Sequence, residues 1–311
     1  MRIAVLAGGR TAERDVSLRS GHRVMGAVAE LGHDAWLIDP AEEPLAASLS
    51  ERLPDLAWLS LHGKDGEGGM VQRLLDLLGV VYTGATAFGC EIAFDKVLAK
   101  DVLYAAGVPT PAWVAVEGSA LRDLGAGTAL DRAIERTGLP CVVKPSRSGS
   151  ALGVGTVERA DQLPAALLAA LSFSDAALVE TKIIGTEVAA SLTGTPLEDL
   201  PLVEIAPKAG VYDYAARYTA GATDYFAPAR IDAETTEAVR TAAASAADAL
   251  HLRDLARVDM MVDHEGQPWV LEANVSPGMT ETSLLPMAAH AAGMSLADVC
   301  DRIIRSASER P

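Results

Sequence analysis

Two short apolar segments in the last third of the chain constrain its fold more than any other feature. Residues 257–262 and 269–274 are separated by a short turn sequence with Gly and Pro, so we expect paired antiparallel strands. Side chains alternate across a strand, which puts Glu272 and Asn274 on one face, with Asp259 beside them on the neighbouring strand. Two carboxylates and an amide oxygen suit Mg²⁺ held beside phosphates. The sequence therefore predicts a magnesium site on a hairpin; the alternative is a solvated hairpin with incidental charges.

The first 95 residues alternate between apolar strands and helical segments, which predicts an α/β fold with an open, mostly parallel sheet. The expected strands are 3–7, 35–38, 56–61 and 80–82, and the expected helices are 17–31 and 70–78. A helix over 95–106 ends at a Gly-Val-Pro stop signal, after which a second unit begins. We therefore expect three units, 1–95, 96–186 and 187–311, the last of which holds the hairpin.

Charge and composition limit the partners of this chain. Its net charge is −16 and its isoelectric point is about 4.8, so its surface repels nucleic acid and anionic membranes. We expect no nucleic-acid or membrane partner and small-molecule substrates instead. No apolar run reaches the roughly 20 residues that cross a bilayer, and the apolar start is too short for a signal peptide, so we expect a cytoplasmic protein. The cysteines, Cys90, Cys141 and Cys300, are expected to be reduced and buried.

A lysine on a predicted strand indicates phosphate binding. Lys144 is followed by the Gly- and Ser-rich segment 145–155, which offers backbone N–H groups beside a cation. Lys96 is a second candidate cation, and Glu180 a candidate contact for ribose or adenine. The plain alternatives are a surface loop with an extended lysine, an exposed helical lysine and a strand-end acid.

The first loop leaves a different function open. Residues 8–17 lie between a strand and a helix, where open α/β sheets bind ligands, and Asp39 ends the next strand as a ribose-binding acid would. This pattern is compatible with a dehydrogenase, although the Gly-x-Gly-x-x-Gly spacing is absent. A dehydrogenase leaves Lys144 and the acidic hairpin unexplained, so we do not favour it.

Taken together, these segments resemble the ATP-grasp superfamily and, within it, the D-alanine–D-alanine ligases. The resemblance rests on segments 8–17, 61–67, 82–84, 95–96, 143–146, 212–218, 257–259 and 272–280, in the order of the family. It implies an α/β ATP-grasp fold of three domains, with the nucleotide between the central and C-terminal domains. It also implies ATP as cosubstrate with Mg²⁺ (or Mn²⁺), and a homodimer.

The resemblance assigns roles to residues of this chain. Glu13 would bind the ammonium of the first D-alanine, and Ser150 and Tyr218 would join it in a hydrogen-bonded clasp. Arg257 and the backbone N–H of Gly278 would stabilise the oxyanion. The other matched positions are Asp259, Glu272 and Asn274 for the metal; Lys96, Lys144, Glu180, Ile183, Glu187 and Arg217 for ATP; and His62, Ser283 and Leu284 for the second D-alanine. Segment 212–221 is expected to be a lid that orders when ligands bind.

Five positions depart from the family pattern. These are Arg217 in place of a lysine, Ala151 in place of a serine, Ser148 in place of an acid, Lys182 in place of an aromatic or apolar residue, and Gly68 in place of an aspartate. The implied function is ATP-dependent synthesis of D-alanyl-D-alanine for peptidoglycan precursors. The alternatives are a paralogous ligase or cyclase acting on another D-amino acid in an antibiotic pathway or self-protection, and a nucleotide-binding regulator without turnover.

Overall fold

A parallel sheet forms the start of the chain. In the computed structural model, residues 1–124, 127–208, 219 and 221–310 are described, with the backbone alone for 122–124; Arg217 and Tyr218 therefore lie outside the described residues, as does most of the expected lid. The first elements are β1 Arg2–Leu6, α1 Arg14–Glu30, β2 Asp34–Ile38, α2 Leu45–Glu51, β3 Leu56–Leu59, α3 Lys64–Glu67 and α4 Met70–Leu78. The sheet order is β2-β1-β3 and both pairings are parallel, as expected.

The strand expected at 80–82 is wrong in extent. Only Tyr82 joins the sheet, through a single parallel bridge to Ala57. The chain turns away immediately afterwards at Gly84, whose φ of +91° lies in the left-handed region. One pair of residues is too short to count as a strand.

Two consecutive helices follow. α6, Lys96–Ala105, agrees with the expected helix, and Asp95 caps it by accepting hydrogen bonds from the N–H groups of Val97 and Leu98. The preceding helix, α5 Ala87–Phe94, was not expected from the sequence. It is buried around most of its circumference, so its residues show no amphipathic period that would reveal a helix.

The middle of the chain forms an antiparallel sheet in the order β4-β7-β5-β6. Its elements are β4 Trp113–Glu117, α7 Gly118–Leu124, α8 Gly127–Thr137, β5 Cys141–Pro145, β6 Gly155–Val157, a 3₁₀ turn Ala160–Gln162, α9 Leu163–Leu171 and β7 Ala176–Thr181. The candidate residues Lys144 and Glu180 lie on the adjacent strands β5 and β7. This sheet therefore brings the expected phosphate and nucleoside contacts together.

A third sheet carries the hairpin. Its elements are β8 Gly185–Gly194, β9 Glu198–Asp199, β10 Val203–Pro207, β11 Thr223–Phe226, α10 Ala233–Ala249, β12 Asp254–Asp263, β13 Pro268–Asn274, α11 Leu284–Ala291 and α12 Leu296–Ser308. The order is β11-β10-β8-β12-β13, with β9 beside β8. β12 and β13 are antiparallel, which confirms the predicted hairpin, and Asp259 lies opposite Glu272.

The hydrophobic core joins the two ends of the chain. Ile3 and Val5 of β1 and Val24 of α1 pack in one cluster with Leu285 of α11 and Ile304 of α12. All three cysteines are buried free thiols, as expected. Within the described part of the chain, no helix combines the length and the apolar character needed to span a bilayer.

Candidate active site

One face of the third sheet carries all four candidate residues of the hairpin. Arg257 pairs with Asn274 and Asp259 with Glu272 across the β12–β13 hairpin, so these four side chains share a face. On the other side of β12, Glu187 of β8 pairs with Met261, two residues from Asp259, and therefore lies on the same face. A one-residue change of register would move the set to the opposite face.

Arg257 and Asp259 bind each other through two hydrogen bonds. Arg257 Nε lies 2.7 Å from Asp259 Oδ1, and Nη2 lies 2.8 Å from Oδ2. Both side chains are buried. A bidentate pair fixes the plane of the guanidinium, so Arg257 is held in a defined orientation before any substrate arrives.

The candidate metal-binding oxygen atoms of the hairpin are engaged by protein groups in this structure, both oxygens of Asp259 by Arg257. Glu272 Oε2 lies 3.2 Å from Lys96 Nζ, and Asn274 Oδ1 accepts a hydrogen bond of 2.8 Å from the Ser276 N–H. The described residues contain no group of three or more His, Cys, Asp or Glu placed to hold a metal. A metal here would therefore need the amide oxygen of Asn274 beside Asp259 and Glu272, as the sequence suggested.

Three buried charged side chains meet at Glu180. Lys100 Nζ lies 2.7 Å from Glu180 Oε2, and Lys144 forms a second ion pair with Glu180 Oε1. Burial alone would raise the pKa of Glu180, but the two ammonium groups hold it below its usual value. Burial likewise opposes the charge of Lys144, yet Glu180 and Glu272 raise its pKa. The Glu180 carboxylate is thus already occupied by cations on the protein.

Lys100 was missed in the sequence. It is almost fully buried, and its Nζ also donates a 2.7 Å hydrogen bond to Thr110 Oγ1, which in turn donates to the Val270 carbonyl of β13. Burial lowers the pKa of Lys100 to about 8, although Glu180 opposes this shift. The sequence does contain a sign of its position: Lys100 lies four residues after the candidate Lys96 and therefore on the same face of α6.

Glu13 is enclosed by two glycines from distant loops. It directly precedes α1, and a Cβ on Gly63 or Gly149 would come within 2.8 Å or 2.6 Å of its carboxylate. A side chain at either position would displace this carboxylate, and Gly63 also has a φ of +65°, which favours glycine. Ser150 follows Gly149 with φ of +51°, and Ala151 has φ of +55°. The loop therefore takes a left-handed turn where it covers Glu13.

His62 and Glu67 lie on the same side of the site. Burial lowers the pKa of His62 to about 4, with a smaller contribution from Arg257, so the imidazole is neutral at neutral pH. Burial raises the pKa of Glu67 to about 7, while the Gly63 N–H donates to its Oε1 at 2.7 Å. Glu67 belongs to segment 61–67, which carries the resemblance, although the resemblance implied no role for it.

The segment after the hairpin is held by its own hydroxyl groups. Ser283 Oγ accepts a 3.1 Å hydrogen bond from the Thr280 N–H and lies 2.8 Å from Thr280 Oγ1. A Cβ on Gly278 would lie 2.7 Å from Ser283 Oγ. Leu284 begins α11 and is buried. Gly278 and Ser283 are therefore neighbours in the structure.

The candidate residues line two adjacent cavities. The first cavity is lined by Glu13, His62, Glu67, Ser150, Arg257, Asn274, Gly278, Ser283 and Leu284. The second cavity is lined by Lys144, Glu180, Ile183, Glu187 and Asp259. Lys96, Ser148 and Glu272 line both. Every position expected to contact ATP that the structure describes lies at the second cavity, and every position expected to contact a D-alanine lies at the first.

Three of the four described departures from the family pattern, Ser148, Ala151 and Lys182, line these cavities. Lys96 Nζ donates a 2.7 Å hydrogen bond to the backbone carbonyl of Ser148. This contact does not depend on the side chain at position 148, which departs from the family pattern. Ala151 and Lys182 line the second cavity, and Lys182 Nζ lies 3.2 Å from Glu158 Oε1. Gly68 directly follows α3. The fifth departure, Arg217, lies outside the described residues.

Known proteins resemble this chain over its whole length. The family model described as "D-ala D-ala ligase C-terminus" matches residues 102–305. The D-alanine–D-alanine ligase of Pelotomaculum thermopropionicum is 40% identical, covering 99% of this chain and 97% of that protein. The ligase of Gloeobacter violaceus is 41% identical, with 98% of each chain covered.

Solved structures agree with this relationship. The D-alanine–D-alanine ligase of Bacillus anthracis complexed with ATP is 32% identical, with a TM-score of 0.84 over 99% of this chain and 97% of that one. The VanG D-Ala:D-Ser ligase of Enterococcus faecalis is 27% identical, with a TM-score of 0.84 and 98% of each chain covered. The ATP-grasp fold expected from the sequence is thereby confirmed, and the chain belongs to the D-alanine–D-alanine ligase family.

Proposed function

We propose that this protein joins two D-alanine molecules into D-alanyl-D-alanine for peptidoglycan precursors, while ATP is converted to ADP and phosphate. One observation carries the proposal: the two cavities meet at Lys96, Ser148 and Glu272. A phosphoryl group at this junction would be within reach of a carboxylate in the first cavity and a nucleotide in the second. A ligase that works through an acyl phosphate needs this adjacency.

The first half of the reaction makes the carboxylate reactive. A carboxylate is a poor electrophile, so transfer of the terminal phosphoryl group of ATP would convert the first D-alanine to an acyl phosphate. Lys96 and Lys144 would bind the phosphates, while Glu180, Ile183 and Glu187 would contact the nucleoside. Arg217, outside the described residues, would add a further cation.

Asp259, Glu272 and Asn274 would hold Mg²⁺ or Mn²⁺ beside these phosphates. A bound divalent cation would supply charge neutralisation and fix the phosphate geometry. The donor set of two carboxylates and an amide oxygen supports a hard cation.

The second half of the reaction joins the two amino acids. Glu13 would hold the ammonium of the first D-alanine, and Ser283 and Leu284 would hold the carboxylate of the second, with neutral His62 lining that pocket. The second amine would attack the acyl phosphate, and the oxyanion would be met by Arg257 and the backbone N–H of Gly278. Each well-aimed donor stabilises such an oxyanion by about 3–4 kcal/mol.

Water must be kept out while the acyl phosphate exists. Ser150 and Tyr218 would join Glu13 in a hydrogen-bonded clasp, and segment 212–221 would close over both cavities as a lid. The left-handed turn at Ser150, next to the Gly149 that touches Glu13, supports the first part of this clasp. Tyr218 lies outside the described residues, so its part in the clasp rests on the resemblance.

We also propose three functional units, 1–95, 96–186 and 187–311, in a cytoplasmic homodimer. The three sheets support the three units, although the boundary at 186/187 falls at the start of strand β8.

The proposed dimer rests on exposed apolar side chains of the first unit. Met70 and Leu77 lie seven residues apart on α4 and are 63% and 82% exposed, and Phe88 on α5 is 58% exposed. These exposed apolar side chains are the candidate contacts for self-association. Leu77→Glu should give a monomer by light scattering; an unchanged mass would place any interface elsewhere.

An assay of phosphate release against D-amino and D-hydroxy acids tests the proposed activity. We expect release that depends on ATP and D-alanine, with D-alanyl-D-alanine as the product by mass spectrometry. D-serine belongs in the panel because one structural relative is a D-Ala:D-Ser ligase. A product formed only with another D-amino acid would favour the paralogous ligase or cyclase, and binding of ATP without turnover would favour the regulator.

A further inference from the structure

Two side chains of α1 bind the loop that follows the hairpin. Ser20 is fully buried, and its Oγ accepts a 3.0 Å hydrogen bond from the Met279 N–H. Arg23, one turn further along the helix, donates from Nη1 to the Met279 carbonyl, and its Nε lies 2.9 Å from Glu281 Oε1. Both backbone polar groups of Met279 are therefore bound by α1, more than 250 residues away in the sequence.

These contacts restrict a glycine that has a proposed part in the reaction. Gly278 directly precedes Met279, and the peptide group between them is planar. Fixing the Met279 N–H therefore also fixes the plane that contains the Gly278 carbonyl. A glycine in a loop otherwise has wide conformational freedom. Its own N–H is the proposed oxyanion donor, and its direction matters because such donors act only within a narrow geometry. Ser283, four residues after Met279, depends on the same loop.

The same helix also carries the first-substrate contact. Glu13 directly precedes α1, and Ser17, Ser20 and Arg23 follow on the next turns. Ser17 is already used within the first unit, since its Oγ accepts from the Gly8 N–H and donates to the Ser60 carbonyl. Ser20 and Arg23 instead reach the loop at the far end of the chain. A rigid helix thus links the elements proposed to bind the two substrates.

We propose that Ser20 and Arg23 are positioning residues that set the loop 278–283 relative to Glu13. This inference rests on the proposed function, because the loop is assigned to the oxyanion and the second D-alanine. Neither side chain needs to touch a substrate. Their effect would be on the distance and angle between the second amine and the activated carboxylate, where a displacement of about 1 Å can cost up to about 100-fold in rate.

Steady-state kinetics of Ser20→Ala and Arg23→Ala separate positioning from a general loss of structure. We expect kcat/KM for the second D-alanine to fall by about 10-fold in each variant, while the KM for ATP stays within about 2-fold. Arg23→Lys should recover part of the loss, because it keeps the charge but not the two-pronged geometry. Arg52→Ala is the matched control, since it breaks an Arg–Asp pair on the surface of the same unit, Arg52 with Asp34.

Hydrogen exchange at the Met279 amide gives a readout that does not depend on turnover. Ser20→Ala removes the acceptor of this N–H, so exchange at 279 should speed up while the core strand β1 stays protected. Arg23 is partly exposed, so Arg23→Ala keeps the test available if Ser20→Ala does not fold. A loop with unchanged exchange and unchanged second-substrate kinetics in a folded variant would overturn the inference. Altered exchange in an enzyme whose wild type makes no dipeptide would instead count against the proposed function.

Discussion

The two cavities are built by different physical means. The second cavity is organised by buried charges on regular elements: Lys144 and Glu180 on neighbouring strands, and Lys100 on a helix behind them. The first cavity is organised by close approaches between loops, such as Gly63 and Gly149 against the carboxylate of Glu13. Buried ion pairs hold the second cavity in shape, whereas glycines without side chains allow the close contacts between loops that form the first cavity.

This difference suggests different sensitivities to change. A buried ion pair loses several kcal/mol when one partner is removed, because the remaining charge lacks solvation. A loop packed on a glycine tolerates loss of charge but resists any added atom. Removing a charge from the Lys100–Glu180–Lys144 group should therefore act mainly on nucleotide binding. Added volume or lost backbone hydrogen bonds in the loops around Glu13 should act on the amino-acid substrates.

The largest effect is expected at the hairpin face beside the junction of the cavities, where the comparison of the two cavities is most easily broken. Asp259→Asn or Glu272→Gln should lower turnover by at least about 100-fold, since each removes charge from the proposed metal site. Titrating turnover against Mg²⁺ in each variant measures this loss. Glu265 is an exposed acid in the same hairpin, so Glu265→Gln is the control. Near-normal turnover in both variants, saturating at the same Mg²⁺ concentration, would remove the metal from this face.

A smaller effect is expected behind the second cavity. Lys100→Met should raise the KM for ATP by about 10-fold while the KM for D-alanine changes little, because Glu180 then binds Lys144 alone. Since the pKa of Lys100 is about 8, ATP affinity in the unmodified protein should fall as pH rises above 8, and this fall should be weaker in the variant. Asp101→Asn, its exposed neighbour on α6, is the control. Equal pH dependence in both proteins would mean that Lys100 does not titrate there.

The charged cavity was also the easier one to predict from the sequence. Lys144, Glu180 and the hairpin acids lie on strands, where apolar neighbours and alternation reveal both the element and the face. The pairing of Asp259 with Glu272 then follows from one antiparallel register. Lys100 was missed because a single lysine within a helix normally points to solvent. Its position four residues after Lys96 placed it on the same helix face, but its burial is seen only in the tertiary structure.

Apart from the first loop and the hairpin residues, the first cavity could be found only through the resemblance. Nothing local in the sequence shows that Gly63 and Gly149, 86 residues apart, enclose the same carboxylate. Likewise, Ser20 and Arg23 are ordinary helical residues until Met279 is placed beside them. Contacts between loops distant in sequence leave no periodic pattern, and α5 was missed for the related reason that a fully buried helix has no polar face.

Within the first cavity, two shifted pKa values should oppose each other. His62 has a pKa of about 4 in place of 6.5, so it contributes stability that is lost as pH falls from 6.5 towards 4. Glu67 has a pKa of about 7 in place of 4.5, so it contributes stability that is lost as pH rises from 4.5 through 7. The two contributions offset each other between about pH 4.5 and 6.5.

Glu67→Gln should expose the contribution of His62. The free energy of unfolding should then fall by up to about 3 kcal/mol as pH drops from 6.5 to 4, whereas the unmodified protein should change less. Urea denaturation across this range measures the difference, and His62→Gln should show the opposite slope. Parallel pH profiles for all three proteins would indicate that neither group is shifted in the folded state.

The smallest effect is expected at the rim of the second cavity, where charge is exposed rather than buried. Lys182 and Glu158 form an ion pair of 3.2 Å with 27% and 58% of their side chains exposed, and such pairs contribute about 1 kcal/mol or less. Lys182→Ala should therefore change the KM for ATP by less than about 3-fold, and Glu158→Ala should match it. Lys182→Trp restores an aromatic residue at this position and should lower that KM by stacking on the purine. A 10-fold loss in Lys182→Ala alone would mean that this lysine contacts the nucleotide itself, and that charge acts at the rim of the cavity as well as behind it.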